Sequence, residues 1–236
     1  MAQTPRAPGP ALRTVLLDID GTLIDSNDAH TRAWVDSLAA HGYVVPFEQI
    51  RPLIGKGGDK ILPELVGLDP ESGEAKRMGE TRSELFLHRE LPTLQPTAGA
   101  RALLERIIAD GLQPVVATSA KADEVRALLE QVGVSDLIQL ASSSDDAERS
   151  KPDPDIVQAA LRLSGSQPMH CIMLGDTPYD LDAASRARVP AIALRCGGWW
   201  DDDALAGAVA IYDHPADLLA HYDDSPVGSA LARSAH

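Results

Sequence analysis

The chain is poor in aromatic residues, which make up 4% of its 236 positions. Any core must therefore be filled by Ala, Leu, Val and Ile, drawn from an apolar fraction of 44%. Positive charge is also scarce. Lys and Arg number 21 against 35 Asp and Glu, for a formal net charge of -14. Such a surface repels phosphate backbones and anionic headgroups, so no nucleic acid and no membrane is expected among its partners. Small anionic substrates stay open, because a metal and a few lysines can make a local positive site. The two cysteines, Cys171 and Cys196, form no CxxC pair and read as buried or semi-buried free thiols. No run approaches the ~20 apolar residues of a membrane span, and no apolar signal core opens the sequence. The expected location is cytoplasmic.

What is present is organised around Val15-Leu16-Leu17-Asp18-Ile19-Asp20-Gly21-Thr22-Leu23. A short apolar run bounded by a turn signal reads as a buried strand. Here it ends in two carboxylates one residue apart. Asp18 and Asp20 would share a strand face if the strand continued through them. At ~4 Å they would repel by roughly 4 kcal/mol at an effective dielectric near 20. They need a cation, a proton, or different directions. An ordinary Asp-Gly turn with solvated aspartates is the plainer reading of this stretch alone.

Residues 1–12 read as a flexible arm. Apolar residues recur at helical spacing over Asp28–Ala40. From 47 to 94 they again recur at helical intervals, punctuated by Pro, Gly and Asp-Pro, which predicts three or four helices and no strand. From Leu94 strands and helices alternate, with strands at Pro114–Thr118, Leu137–Leu140, Cys171–Gly175, Pro190–Arg195 and Val209–Tyr212. This pattern predicts an α/β fold, a Rossmann-like parallel sheet with helices on both faces. An α-helical unit over 25–94 is inserted between core segments 13–24 and 95–222. Residues 223–236, rich in Asp, Ser, Gly and Ala, are expected to be disordered.

Three further clusters sit at predicted strand ends. Thr118-Ser119-Ala120-Lys121 offers hydroxyls and backbone N–H groups for an anion, or a helix N-cap. Lys151-Pro152-Asp153-Pro154 fixes a lysine beside a rigid turn, to neutralise a carboxylate and a phosphate or simply to face solvent. Gly175-Asp176-Thr177-Pro178-Tyr179-Asp180 offers oxygen ligands for a hard divalent cation, or an N-cap and a first-turn acid. Each is ordinary alone. At one edge of one sheet, carboxylates, a hydroxyl and a lysine suit Mg²⁺ and a phosphoryl group.

In order and spacing, Asp18-Ile-Asp-Gly-Thr-Leu23, Thr118, Lys151 and Gly175-Asp176 with Asp180 resemble the four motifs of the haloacid dehalogenase-like hydrolases. The nearest likeness is to the phosphoglycolate phosphatase and β-phosphoglucomutase branch, and the insert resembles that branch's small α-helical cap. The resemblance implies Asp18 as nucleophile, becoming an aspartyl phosphate, and Asp20 as general acid and then base. It implies Thr118 on the phosphoryl oxygens and Lys151 bridging Asp18 to the phosphoryl group. Mg²⁺ would be held by Asp18, Asp176 and the backbone carbonyl of Asp20, with Asp180 supporting the sphere through water or through Lys151. Asp20 argues against C–halogen chemistry, since halide needs no proton.

The implied activity is hydrolysis of a small phosphorylated metabolite, resembling phosphoglycolate or a sugar phosphate, by a monomer or homodimer. A phosphosugar mutase, a phosphonatase using a cap lysine, and a non-catalytic binding module are the alternatives. Substrate choice is expected in the cap, where Arg51, Gly55 and Lys56 could meet the substrate beside Thr118, Ser119 and Lys151. A solvated helix connection is the competing reading of that segment. His30 is expected to be structural, or else to line the cleft, and Trp199-Trp200 to cover apolar surface near the catalytic rim.

Overall fold

The computed structural model describes residues 11–234. The expected N-terminal arm lies outside the described residues except for 11 and 12. Six strands form one sheet in the order β3-β2-β1-β4-β5-β6. They are β1 (Thr14–Leu17), β2 (Gln113–Ala117), β3 (Leu140–Ser142), β4 (Cys171–Gly175), β5 (Ala191–Leu194) and β6 (Ala210–Tyr212). Every adjacent pair is parallel. This is the doubly wound order, in which the chain reverses direction across the sheet between β1 and β4.

Side-chain alternation along β1 explains the two layers of helix. Val15 and Leu17 face one apolar cluster and Leu16 the other, all fully buried. The first cluster takes residues from α5 (Ala100–Ala109), α6 (Ala122–Val132), α9 (Pro215–Ala220) and α10 (Pro226–Ser234). The second takes them from α7 (Asp155–Ser164) and α8 (Pro178–Arg186). Small residues such as Ala183, Ala184, Ala191 and Ala193 let the helix sit close on the sheet where large aromatics are scarce.

Between β1 and β2 lie α1 (Asn27–Ala40), the short α2 (Phe47–Ile50), α3 (Gly58–Val66) and α4 (Gly73–Leu85). They carry a separate apolar cluster built on Trp34, Leu38, Ile50, Leu53, Ile61 and Met78. After α4 the helix widens into a π segment at Phe86–Glu90. No helix among the described residues is long and apolar enough to cross a membrane.

Two sequence expectations are corrected. The third strand begins at Leu140 rather than ending there. The apolar residues before it turn back on Val134, whose carbonyl accepts from Leu137 N at 2.9 Å and Ile138 N at 3.2 Å, so they close the end of α6. The tail expected to be disordered carries α10. Ser225 accepts from Gly228 N at 3.3 Å, Pro226 occupies the first turn, and Val227 is buried against the first cluster. Composition hid a short helix with a good start signal.

Candidate active site

β1 stops at Leu17, flanked by Val116 of β2 and Leu174 of β4. Asp18 N still donates to Leu174 O at 2.9 Å, so Asp18 stands between the ends of two strands. That is the crevice where the strand order reverses and where open α/β sheets bind ligands. Thr118 follows β2 and Asp176 follows β4. Lys151 comes in from the loop before α7. The four strand-end clusters meet at this edge.

Lys151 Nζ donates to Asp18 Oδ1 at 2.6 Å and to Asp180 Oδ1 at 2.7 Å. The other oxygen of Asp180 accepts from Thr177 N at 3.1 Å and Thr177 Oγ1 at 2.7 Å. Asp180 is therefore both a capping-box partner and the brace for Lys151. Carboxylate oxygens of Asp18, Asp176 and Asp180, all buried, lie within 4.8 Å of one another. When all are ionised, three carboxylates against one ammonium carry two negative charges in excess. Burial pushes Asp176 up to about 7, and the charge of Asp180 adds to it. Burial also drives Asp18 well above the carboxylate range, with Lys151 only partly opposing it. Lys151 stays protonated, since Asp18 and Asp180 outweigh the effect of its burial. Buried oxygen donors with an excess of two negative charges fit a hard divalent cation. Asp18 and Asp176 would hold it, with Asp180 in support.

Asp176 is fixed by residues the sequence did not single out for the site. Asn27 Nδ2 donates to its Oδ2 at 2.8 Å, and Thr22 Oγ1 to its Oδ1 at 3.2 Å. A Cβ at Gly21, whose φ is 74°, or at Gly197 would run into this carboxylate. These glycines are needed because the backbone passes so close to Asp176.

Asp20 faces another way. Its Oδ1 accepts from Ser26 Oγ at 2.6 Å and His30 Nε2 at 2.8 Å. Burial raises its pKa, but His30, Ser26 and Arg82 outweigh burial and hold it below the usual value. The side chain stays out of the buried cluster, which leaves only its backbone carbonyl to the expected metal role. His30 stacks on Phe86 with ring centroids 3.8 Å apart. Arg82 Nη1 donates to His30 Nδ1 at 3.3 Å and to Glu124 Oε2 at 3.0 Å. Ser83 Oγ donates to the same Glu124 carboxylate. His30 thus lines the cleft, and Arg82 and Glu124 join it without any local sequence signal.

Thr118 is buried, and its Oγ1 accepts from Ala120 N at 3.1 Å. It does not cap α6, which starts at Ala122 with Asp145 accepting from its N–H at 3.1 Å. Ser119 Oγ accepts from Lys151 N at 3.4 Å. Thr118, Ser119, Gly55 and Lys56 all line the cleft above Asp18. Lys56 Nζ is already paired with Glu64 at 2.6 Å and lies 4.8 Å from the Tyr179 ring centroid. Arg51 is not among the residues that line the cleft. Its buried guanidinium bonds Asp28 at 2.5 Å and the Gly197 carbonyl, and lies 5.6 Å from the Trp199 ring centroid. It ties the cap to the loop after β5. Trp200 packs edge-on against Tyr179 at 5.9 Å. Cys171 is buried and Cys196 half-buried, both free.

Residues 15–194 match the model of the family described as haloacid dehalogenase-like hydrolase. The chain belongs to that family. Among its relatives is a phosphoglycolate phosphatase of Rhodospirillum rubrum, 30% identical over 219 residues that cover 87% of this chain and 89% of that one. An N-acetylmuramic acid 6-phosphate phosphatase of Pseudomonas aeruginosa is 27% identical over 211 residues, 88% of this chain and 93% of its own. A solved hydrolase from Pseudomonas syringae superposes with a TM-score of 0.83 at 29% identity, covering 90% of this chain and 98% of its own. The hydrolase therefore falls among the phosphatases of that family, in the phosphoglycolate phosphatase-like branch with a helical cap.

Proposed function

We propose that this hydrolase is a Mg²⁺-dependent phosphatase that releases phosphate from a small phosphorylated metabolite through an aspartyl phosphate on Asp18. The reading is carried by one observation. Two carboxylates two residues apart are held in different environments. Asp18 is in the buried cluster with Lys151, while Asp20 is bonded to Ser26 and His30 beside the open cleft. Neighbouring acids whose surroundings differ in this way can take separate parts in one reaction.

In this account an Asp18 oxygen attacks phosphorus and the bond to the leaving alkoxide breaks. A proton carried by Asp20 goes to that alkoxide. Asp20 then takes a proton from the water that attacks the aspartyl phosphate, which frees phosphate and restores Asp18. Lys151, locked by Asp180, offsets charge on the transferring group, and Thr118 and Ser119 offer donors to its oxygens. Mg²⁺, when bound, neutralises the excess charge of the cluster and polarises the phosphoryl group. The hydrogen bonds of Asp20 to His30 and Ser26 hold its pKa below the usual value and fix the direction of its carboxyl beside the cleft.

The test is phosphate release from a panel of phosphorylated metabolites with and without EDTA. Release that depends on Mg²⁺ and vanishes in Asp18→Asn is expected. Release unaffected by EDTA, or an isomer of a sugar phosphate in place of free phosphate, would overturn the reading.

A further inference from the structure

Two spaces lie above the catalytic edge. The inner one, against Asp18, Asp20 and Thr118, holds only about 50 Å³. A single water needs ~10–15 Å³ of such space, so this is room for only a few atoms of a ligand. The outer one, about 320 Å³, lies between the cap helices α3 and α4 and the core loops at Ser119 and Ser150. They share walls at Trp34, Gly57, Gly58, Arg82 and Ser119. The inner space suits a phosphoryl group, and a leaving group of any size must extend past Arg82 into the outer one. A chamber of this volume falls in the range of sites that enclose whole small ligands, ~300–1,000 Å³.

The charges at the partition are already spent. Of the two cations lining the inner space, Lys56 is paired with Glu64 at 2.6 Å and Arg82 with Glu124 at 3.0 Å. Glu124 also lines that space. Its side chain is 1% exposed, so its charge is poorly screened. Arg82 Nε is a buried donor with no acceptor. Arg82 lines both spaces and Glu124 the inner one, so a hydroxyl there can accept from the guanidinium or donate to the carboxylate without adding charge. A carboxylate can only accept, and would bring a second negative charge against Glu124.

We propose that the leaving group is an uncharged polyhydroxylated one, a sugar or polyol seated in the outer chamber, and that the Arg82–Glu124 pair selects it over short carboxylates such as glycolate. This proposal rests on the phosphatase reading above.

The test compares kcat/KM, with Mg²⁺, for hexose 6-phosphates, 2-phosphoglycolate and acetyl phosphate. Sugar phosphates are expected to exceed 2-phosphoglycolate by roughly tenfold or more, the scale of one poorly screened like charge. Glu124→Gln should shrink that ratio by about tenfold, since it removes the repelling charge and releases Arg82. Gly79→Phe gives an independent handle. Gly79 lines the outer chamber on α4 with nothing within 4 Å of a Cβ placed there. The bulk should lower the ratio of sugar phosphate to acetyl phosphate by roughly tenfold, by displacing remote binding contacts. Turnover of acetyl phosphate with 2-phosphoglycolate equal to or above the sugar phosphates would overturn this proposal alone. So would both variants leaving the two ratios unchanged. Absence of Mg²⁺-dependent release from every compound, acetyl phosphate included, would overturn the phosphatase reading and this proposal with it.

Discussion

The floor of the site and its roof treat charge in opposite ways. On the floor, Asp18, Asp176 and Asp180 face a single ammonium, Lys151, and all four are buried. In the roof the two cations that line the inner space each have a carboxylate of their own: Lys56 with Glu64, Arg82 with Glu124. A buried, unbalanced cluster is costly in the empty protein and is relieved by a cation and a phosphoryl group. A balanced partition binds by hydrogen bonds and excludes further charge. The difference assigns the reacting group to the floor and the rest of the substrate to the roof.

The largest effects should come from the floor. Asp18→Asn is expected to lower kcat by roughly 10⁴–10⁶-fold, the scale on which loss of a nucleophile is felt in covalent hydrolases, with the fold intact by circular dichroism. Retained turnover would place the reacting group elsewhere. Lys151→Met leaves Asp18 and Asp180 without their shared ammonium and should destabilise the metal-free protein by about 3–5 kcal/mol in urea unfolding. A change near zero would mean that the cluster is not charged as described.

Next in size is a linkage between pH and metal. Asp176 is raised to about 7 and Asp18 is raised well above its ordinary value. The folded, metal-free protein therefore binds more protons than the unfolded chain between pH ~4 and 7, and its stability falls as pH rises through that window. Mg²⁺ competes with those protons, so its stabilisation should be greater at pH 8 than at pH 5. A thermal shift with Mg²⁺ that is the same at both would dissolve the contrast between floor and roof.

At the boundary of the two regions, His30→Leu should raise the pKa of Asp20 and shift the acid limb of the kcat profile upward. The loss in kcat should be less than the ~10²–10⁴ that a whole general acid–base group contributes. The smallest effect is expected in the roof. Lys56→Ala removes a half-exposed ion pair and should cost less than ~1 kcal/mol of stability.

The same division explains what could be read from the sequence. The parallel sheet with helices on both faces follows from alternating strand and helix signals, Asp18, Thr118 and Asp176 each sit just past a strand end, and Lys151 sits beside the Pro-Asp-Pro turn before α7. Those residues are local to their elements, so the elements carry them to one edge. The roof depends on cap-to-core contacts with no local trace. Arg82 lies in a polar helix and Glu124 in the first turn of α6, where each reads as solvated charge. They meet only where the last turn of α4 comes to the first turn of α6. Arg51 looked available beside Gly55 and Lys56, yet the Gly197 carbonyl, 146 positions along the chain, takes it. His30 was ambiguous for a related reason. It gains meaning from Asp20, ten residues back, and from Phe86, which the π segment turns onto its ring. The helix at Pro226–Ser234 was missed because a polar composition outweighed Ser225-Pro226 and a single buried valine.

The most direct test is an acid quench of the wild-type protein during turnover of a phosphorylated substrate with Mg²⁺, followed by mass analysis of the peptide that carries Asp18. A phosphorylated Asp18 that forms before free phosphate and is absent from Asp18→Asn is the expected result. Free phosphate released at full rate with no phosphate ever found on Asp18 would contradict it.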